Sequence, residues 1–443
     1  MACHPREMKD SYRFVWALVL ILVRKVEGLA ERYKLSYDAT SFLTTKGGQS
    51  GASPLWAMHF HDYVEKFGRS YQPGTAEYER RRALFEERVL EAQRHNARPD
   101  RLWEAGVNEL TDRTPEELQR LRGYGRNVRP AGGPGPELVG TSAVEFDLSK
   151  LPKEFSWQGV LRATTEVQDQ DQCGSCWAFA SATVLRAHSE LFQKDHHFSV
   201  QQIVSCTPNP RECGGQGGCT GATAELAMHY VSQVGSLSEK DFPYTATEEE
   251  CPSGLRLQQP LDVSTVAGPS LHQIVSSGTD AASLGLTGFL KLPENQLEPI
   301  LLRLFAEGPL AVSIAAGSGW NMYWSGIYDS CQRDIVIDHA VMLVGWGEDK
   351  PAKYWQLQNS WGPSWGEGGF IRIIRHDLQT ERSYCGWDTD PSIGSGCRGG
   401  PSSVWICGSC GILYDVVMPT FSVGQNSWWA RHGRNVTDTS LRQ

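Results

Sequence analysis

Cysteine is almost absent from the first part of the chain. Of the twelve cysteines among 443 residues, only Cys3 precedes residue 173, which excludes disulfide bonds within the N-terminal part. The other eleven lie in the last 271 residues, a density typical of proteins that mature in an oxidising compartment. We therefore expect a disulfide-bonded C-terminal domain with at least one unpaired cysteine, because eleven is an odd number.

Long hydrophobic runs are lacking too. The longest spans residues 14–23, about half of the roughly 20 apolar residues that a membrane-spanning helix needs. Basic residues flank it on both sides, as in a secretory signal peptide. We predict a signal peptide over residues 1–28, with a short signal anchor as the alternative because no clean small-residue cleavage site follows. The mature form is then expected to have no stable membrane span and to reside in a lysosome- or vacuole-like acidic compartment or outside the cell.

The chain also lacks a cluster of Lys and Arg interleaved with aromatic residues, and its net charge is −9. A surface that follows nucleic acid phosphates has no basis here, so we expect no nucleic acid partner. The charge is uneven. Residues 1–150 carry 23 basic and 21 acidic residues, a net +2, which leaves 19 and 30, a net −11, for residues 151–443. The two parts are expected to attract each other.

Composition divides the chain into two bodies. Residues 55–121 are rich in helix formers with an apolar stripe, and the Gly- and Pro-rich residues 123–140 are typical of an exposed linker. A second body begins near Leu151, with a helix predicted over residues 176–193. The predicted strands are residues 310–314, 340–346, 354–358 and 370–374. A helix followed by strands predicts an α+β fold of two subdomains with a cleft between them.

The tetrapeptide Cys-Gly-Ser-Cys occurs twice, at residues 173–176 and 407–410. Such a cysteine pair can be half of a zinc site, a redox dithiol, or a disulfide cysteine beside a nucleophilic one. A four-cysteine zinc site is disfavoured because the two copies lie more than 200 residues apart and only the first precedes an apolar helix. Spacing alone leaves all three alternatives open.

Other segments decide between these alternatives. They are Cys176-Trp177-Ala178-Phe179, Asp338-His339-Ala340 and Gln358-Asn359-Ser360-Trp361. On these segments the chain closely resembles the papain-like cysteine proteases, and among them the cathepsin L type. The resemblance implies an α+β papain-like fold, in which a helical subdomain and a β-barrel subdomain enclose a cleft, preceded by a helical propeptide.

The resemblance assigns catalytic roles, and elementary chemistry explains the residue types. Cys176 would be the nucleophile, because a helix N-terminus and a neighbouring imidazolium both stabilise a thiolate. His339 would supply that imidazolium and return the proton to the leaving amine, while Asn359 orients its ring. Gln170 would stabilise the oxyanion together with the Cys176 N–H. Trp361 would shield the hydrogen bond between His339 and Asn359 from water.

The resemblance extends to the N-terminal part. The residues that match the family's propeptide motifs are Glu77, Arg81, Phe85 and Asn96, followed by Gly106, Asn108, Leu110 and Asp112. Arg88 and Ala92 depart from the expected Asn and Ile. We therefore expect an inhibitory propeptide over residues 29–150, with its core at 55–122, and a peptidase domain over 151–443. Ion pairs between carboxylates and arginines would weaken on acidification, and the propeptide would then be released from the peptidase domain.

The substrate cleft is expected to involve Gly174, Gly221, Trp365 and Asp415. Gly221 lies in Cys-Thr-Gly-Ala, where the family has Cys-Asn-Gly-Gly, so the methyl group of Ala222 would narrow the cleft. Trp365 would wall the leaving-group side. At the base of the pocket for the second side chain before the cut, the resemblance places an aspartate. This is Asp415 in the favoured register or Asp390 in the alternative one, and it would favour an Arg or Lys of the substrate.

The resemblance also implies disulfide bonds. The expected pairs are Cys173 with Cys219, Cys206 with Cys251, and Cys331 with either Cys410, which we favour, or Cys385. The favoured choice makes residues 383–408 an insertion, stapled by the remaining cysteines Cys385, Cys397 and Cys407, and leaves Cys213 as an extra thiol. Residues 252–307 are a second expected insertion.

Together these features predict a cysteine endopeptidase made as an autoinhibited zymogen, with no cofactor and no metal. Its expected partners are polypeptide substrates, its own propeptide and cystatin-like inhibitors, and we expect a monomer. One alternative is an exopeptidase of the same family, in which an insertion blocks one end of the cleft. Another is a binding protein without catalysis, against which the intact Cys176, His339, Asn359 and Gln170 argue.

Overall fold

The computed structural model describes residues 58–123, 151–257 and 283–424. The predicted signal peptide and most of the linker lie outside these ranges. So does Asn435-Val436-Thr437, an Asn-x-Thr sequence that predicts N-glycosylation in the secretory pathway. The chain separates into two units, the first being Met1–Pro54 with Phe146–Pro152. Of that unit only residues 151 and 152 are described, so the account below concerns the second unit.

The N-terminal part is helical, as predicted. It contains α1 (Phe60–Lys66), α2 (Ala76–Asn96), β1 (Trp103–Ala105) and α3 (Pro115–Arg120). The hydroxyl of Thr75 caps α2, and Thr114 with Glu117 forms a capping box on α3, so both helix starts have their free N–H groups satisfied. Phe60, Tyr63 and Phe85 form the centre of a small aromatic core between α1 and α2.

Beyond residue 151 the first secondary structures are mostly helices. They are β2 (Phe155–Ser156), α4 (Cys176–Phe192), α5 (Val200–Cys206) and α6 (Ala224–Val234). Fourteen of the seventeen residues of α4 are buried. A helix that is apolar on nearly all sides belongs in the interior, and α4 contacts α5 and α6 on one side and the sheet on the other.

The second half of the chain forms the sheet. Its elements are β3 (Leu286–Lys291), α7 (Leu297–Ala306), β4 (Leu310–Ile314), β5 (Tyr323–Tyr328), β6 (His339–Asp349), β7 (Ala352–Gln358), β8 (Phe370–Arg375), α8 (Leu378–Ser383), β9 (Cys385–Asp388), β10 (Val404–Cys407) and β11 (Asp415–Phe421). All four predicted strands are present. The nine-stranded sheet runs in the order β1-β5-β8-β7-β6-β4-β11-β3, with β2 attached to β6. Among the described strands the pairing does not return to its start, so the expected barrel is an open sheet.

Strand β1 joins the N-terminal part to this sheet by pairing antiparallel with β5. Gly326 permits the close approach, because a Cβ there would lie 2.5 Å from the carbonyl oxygen of Leu102. The backbone N–H of Gly106 donates to the carbonyl of Met322 at 2.8 Å. Strand β1 of the predicted inhibitory segment therefore forms an edge of the sheet, and the rest of the segment covers that sheet.

Five disulfide bonds link the second body. Those predicted by resemblance are all present: Cys173–Cys219, Cys206–Cys251 and Cys331–Cys410. The other two are Cys385–Cys407 and Cys213–Cys397. Cys213 is thus not an extra thiol, and Cys397 is bonded to a cysteine outside the insertion at residues 383–408. Because Cys173, Cys407 and Cys410 are all in disulfides, the zinc-site alternative is wrong.

The two expected insertions differ in kind. Residues 258–282 of the first lie outside the described ranges, and its remainder supplies β3 and α7. Residues 383–408 form a two-stranded ribbon, β9 with β10, and a turn at Pro391–Ile393. In the described ranges no helix is long and apolar enough to cross a bilayer.

Candidate active site

Cys176 is the first residue of α4, as the sequence predicts. Its side chain is buried, and it is the free cysteine of the described ranges. Ser175, in the cap position, makes no side-chain capping bond. Because Cys176 is at the N-terminus of α4, the positive end of the helix dipole lies near its thiol and favours the thiolate.

His339 begins β6 and Asn359 follows β7, the neighbouring strand. The Nε2 atom of His339 lies 2.8 Å from Oδ1 of Asn359, so the amide oxygen accepts from an Nε2–H. Within the described residues Nδ1 of His339 is buried without a hydrogen-bond partner. Cys176 and His339 line the same small cavity, which leaves Nδ1 as the ring nitrogen available to the thiol.

Tryptophan rings cover the side of this pair away from Cys176. The Trp361 ring centroid lies 4.9 Å from that of His339, and the Trp320 ring lies 5.9 Å away. Trp365 lies against Trp361 at 5.2 Å and donates its Nε1–H to the carbonyl of Trp320 at 2.9 Å. These rings exclude water from the hydrogen bond between His339 and Asn359. Trp365 is fully buried, so in this form it supports the aromatic layer rather than presenting an open wall.

Burial sets the ionisation of the pair in this form. It raises the pKa of Cys176 to about 12, against the opposing effect of the backbone N–H groups of Ala340 and Trp177. It lowers the pKa of His339 to about 4, against the hydrogen bond to Asn359. Both shifts favour the neutral forms, so burial in the covered site works against a thiolate and an imidazolium.

Gln170 is fixed with its amide nitrogen directed at the cleft. Its Oε1 accepts from Ser360 at 2.6 Å, which identifies the end of the side chain that donates. Nε2 donates to the carbonyl oxygens of Cys173 and Leu121, both at 2.9 Å. Leu121 belongs to the N-terminal part, so a carbonyl of that part already accepts from one of the two expected oxyanion donors.

The backbone of residues 120–123 runs across both predicted glycines of the cleft. A Cβ on Gly174 would lie 2.8 Å from the carbonyl oxygen of Arg120. One on Gly221, whose φ is +99°, would lie 2.1 Å from that of Gly123. Gly123 itself lies over the nucleophile, since its Cβ position is 3.5 Å from Sγ of Cys176. The N-terminal part therefore fills the cleft at the reacting atoms.

Arg122 adds a charged contact that the sequence did not indicate. Its Nη1 lies 3.3 Å from Oδ2 of Asp338 and donates to the carbonyl of Ala316 at 2.9 Å. Burial raises the pKa of Asp338 to about 7, while Arg122 opposes the rise. The attraction between Arg122 and Asp338 is complete only where this carboxyl is ionised.

Asp415 does not present an unpaired carboxylate to the substrate. It is 1% exposed, and its oxygens contact Nζ of Lys291 at 3.0 Å and Oγ of Ser313 at 2.6 Å. Lys291 also binds Glu225 at 2.7 Å. Ser313 lines the cavity beside Cys176, whereas Asp415 does not line it. The Cys331–Cys410 disulfide selects the favoured register, and Asp390 of the alternative register is exposed.

The motif residues of the N-terminal part hold its helices to one another. Arg81 pairs with Glu77 and with both carboxylate oxygens of Glu117. Asn96 exchanges two hydrogen bonds with the backbone of Ala105. Arg88, where the family pattern differs, donates to the carbonyls of Leu110 and Thr111 at 2.9 Å, and so ties α2 to the segment before α3.

Mild acid would not break every ion pair between a carboxylate and an arginine in the N-terminal part. Burial raises the pKa of Glu117, but its bonds to Arg81 and to the Thr114 backbone outweigh this effect and hold the value at about 2. The expected weakening on mild acidification therefore does not apply to Glu117. Desolvation keeps the pKa of Asp112 above its usual value although Arg69 lies beside it.

Sequence reasoning missed three groups of the site. Ser360, which orients Gln170, stands in the Gln-Asn-Ser-Trp segment and could have been found there. Asp338 precedes His339 and could also have been noticed. Ile393 and Gly394 line the cavity next to Cys176, and no local sequence signal marks them.

Fold and site together define a cysteine peptidase covered by its own N-terminal segment, and comparisons agree. The model of the papain family cysteine proteases matches residues 151–395, and that of the cathepsin propeptide inhibitor domain matches residues 60–118. The chain belongs to the papain family of cysteine proteases. The predictions of a peptide hydrolase and of a zymogen with an inhibitory propeptide are confirmed.

Individual relatives cover both parts of the chain. A cathepsin L-like proteinase of Fasciola hepatica is 31% identical over 338 residues, which are 75% of this chain and 91% of the relative. Cysteine proteinase 1 of Zea mays is 32% identical over 352 residues, 75% of this chain and 84% of the relative. The solved structure of digestive procathepsin L 3 of Tenebrio molitor larval midgut superposes with a TM-score of 0.58 at 23% identity, covering 83% of this chain and all of that one. The last likeness confirms the fold.

Proposed function

We propose that this chain is the zymogen of an endopeptidase in which Cys176 attacks the carbonyl carbon of a peptide bond. The hydrogen bond from Gln170 to the carbonyl of Leu121 carries the proposal. In this bond a peptide carbonyl of another segment accepts from the side chain that the proposal assigns to the oxyanion. Asn359 and Trp361 support it by fixing the His339 ring.

The chemistry follows from this geometry. His339 takes the thiol proton, and sulfur bonds to the carbonyl carbon, giving a tetrahedral intermediate whose oxyanion accepts from Gln170 Nε2 and the Cys176 N–H. The imidazolium gives its proton to the leaving amine, and a thioester remains. A water molecule, deprotonated by His339, then attacks the thioester and releases the acid and the free thiol.

The segment up to about residue 150 acts as the intramolecular inhibitor in this proposal. Residues 120–123 occupy the cleft, and β1 anchors the segment to the sheet. The peptidase domain then begins near Leu151. Five disulfides support a secretory route with a lysosome- or vacuole-like or extracellular destination. The active form acts as a monomer on polypeptides, and cystatin-like inhibitors would compete for the same cleft.

Labelling tests the assignment of the nucleophile. After acid activation, the protein is treated with a thiol-reactive epoxide and the modified residue is mapped by mass spectrometry. Label on Cys176 is expected, together with loss of hydrolysis of a blocked dipeptide substrate. Cys176→Ala should abolish both label and hydrolysis without changing the fold. Hydrolysis by the Cys176→Ala variant would overturn the proposal.

A further inference from the structure

The insertion at residues 383–408 crosses from one wall of the cleft to the other. We call residues 388–397 the strap. Its start is anchored on the sheet side, where the Ile337 N–H donates to a carboxylate oxygen of Asp388 at 3.1 Å. Just before it, the carbonyl of Trp387 accepts from Ile335 at 3.1 Å. Asp388 is fully buried, so this anchor is part of the interior.

The other end of the strap is anchored on the helical side. Cys397 forms a disulfide with Cys213, in the loop between α5 and α6. Beside it, Gly214 donates its N–H to the carbonyl of Gly396 at 2.8 Å. A second disulfide, Cys385–Cys407, closes the ribbon from which the strap emerges. Covalent bonds therefore limit how far either end can move.

Between its anchors the strap touches both cleft walls through backbone atoms. A Cβ on Gly394 would lie 2.1 Å from the carbonyl oxygen of Ile337, and one on Gly214 would lie 2.9 Å from that of Gly394. Gly214 in turn lies against Gly221, since the Cβ position of Gly221 is 2.5 Å from the Gly214 carbonyl oxygen. These contacts form a continuous backbone bridge from Gly221 on one wall to Ile337 on the other.

The bridge lies close to the nucleophile. Ile393 and Gly394 line the cavity that also contains Cys176, Ala222 and Ser313, and the centre of a water molecule can move through only about 10 Å³ of it, which is room for roughly one water molecule. Side chains can rotate away from an arriving substrate. The strap backbone cannot, because it is held at both ends.

We propose that the strap closes the part of the cleft that binds substrate residues on the N-terminal side of the scissile bond. The cleft then accepts two such residues, and substrates with more residues there bind poorly. The proposal rests on the proposed function, and it assigns a substrate class to it: peptides with two residues upstream of the scissile bond. A third residue would have to occupy the volume of residues 394–396. Endopeptidase cleavage then requires a chain that bends away from the cleft at the strap.

A length series tests the proposal on the activated enzyme. Substrates with one, two, three and four residues before the same leaving group are compared, each with a free and a blocked N-terminus. The value of kcat/KM should rise from one residue to two and fall about tenfold or more at three, because a small misplacement of the reacting carbonyl is costly. A value that keeps rising through three and four residues would overturn the proposal.

Variants connect the length preference to the strap. Cys213→Ser with Cys397→Ser frees one end, and Ile393→Gly thins the strap without touching a disulfide. Either change should raise kcat/KM for the three- and four-residue substrates relative to the two-residue substrate. Trp387→Ser with Trp405→Ser is the matched control, since both side chains are about half exposed on the ribbon. It should leave the ratio unchanged, and an equal change in the control would contradict the proposal.

The two proposals fail in different ways. If the activated protein cleaves none of the substrates and Cys176 takes no epoxide label, the proposed function fails. If Cys176 is labelled and the substrates are cleaved with no penalty at three residues, only the strap proposal fails.

Discussion

The carbonyl oxygen of Leu121 accepts a hydrogen bond of 2.9 Å from the side-chain amide of Gln170. Leu121 belongs to the inhibitory segment and Gln170 to the peptidase, so the inhibitor binds the side chain that the proposed mechanism assigns to the oxyanion. Gly123 lies over Cys176 at the same time. Inhibition therefore uses the catalytic groups themselves, and one substitution can affect both catalysis and latency.

Gln170→Ala should lower kcat of the activated enzyme by about 10²-fold, since one oxyanion donor is removed. The same variant should weaken latency, because the bond to Leu121 is lost. The measurements are kcat for a blocked dipeptide substrate and the residual activity of the intact zymogen. Gln168→Ala is the control, as that side chain contacts His197 instead. A wild-type kcat in the Gln170 variant would remove Gln170 from the oxyanion site.

Cys176 should react slowly in the zymogen and quickly after activation. In the covered site burial raises the thiol pKa to about 12 and lowers the His339 pKa to about 4. Release of the segment admits water and removes Arg122, whose charge opposes protonation of His339. The rate of alkylation is measured against pH in both forms. We expect the zymogen rate to increase only in alkaline solution and the activated rate to be high at pH 5–6. Equal profiles would show that the segment does not control the ionisation.

Local sequence determined much of this fold, and contacts between distant segments determined what it did not. The helix at Cys176 and the strand at His339 follow from apolar runs with clear boundaries, so both were predicted. The insertion at residues 383–408 was also predicted, but the course of the strap was not, because it depends on a disulfide that joins Cys213 to Cys397 across 184 residues. Asp415 was expected at the base of a substrate pocket, but its partner Lys291 comes from a different strand, and no periodicity in the sequence brings the two together. The contact between Asp415 and Lys291 therefore depends on how the folded interior brings the two strands together.

Arg122→Gln should weaken latency in a pH-dependent way. Arg122 faces Asp338, whose pKa burial raises to about 7 and near which Asp388 adds a like charge. Above this value the carboxylate is ionised and attracts Arg122. Below it the attraction is lost as Asp338 takes up a proton. The variant zymogen should therefore be leakier than the wild type at pH 8 and indistinguishable from it at pH 5. Residual activity of the intact zymogen at both pH values measures this. An equal loss at pH 5 and pH 8 would assign the contribution to the Ala316 bond instead.

The pair between Arg81 and Glu117 should stabilise the segment even in mild acid. The bonds to Arg81 and to Thr114 depress the pKa of Glu117 to about 2 in the folded form. A depressed carboxyl pKa contributes stability that is present above the ordinary value and lost only as the pH falls through the folded value. Glu117→Gln should thus cost about 1–2 kcal/mol at pH 7 and most of that at pH 5.

Thermal unfolding of the full-length zymogen at pH 7 and pH 5 measures this cost. The control is Glu86→Gln, whose partner Arg82 is exposed and 3.6 Å away, so it should change little. A Glu117 effect that disappears at pH 5 would mean that acid loosens this pair, as the sequence alone led us to expect.

Lys291 is the cation on which two buried carboxylates depend. It lies 2.7 Å from Glu225 and 3.0 Å from Asp415, and burial together with the charge of Glu225 raises the pKa of Asp415. Lys291→Met leaves both carboxylates without their cation, and breaking a buried ion pair in this way costs about 3–5 kcal/mol. Lys291→Met with Asp415→Asn should recover part of that loss, because one of the two negative charges is gone. Thermal unfolding at pH 7 of both variants tests the order of stability, wild type above the double variant above the single.

The specificity measurement follows from the same contacts. Because burial and the charge of Glu225 raise the pKa of Asp415 to about 7, this carboxyl is largely protonated between pH 4 and pH 6. Asp415→Asn should therefore leave the ratio of kcat/KM for Arg-Arg to that for Phe-Arg substrates nearly unchanged over this range. A clear fall in that ratio would show that the carboxylate attracts substrate cations despite Lys291.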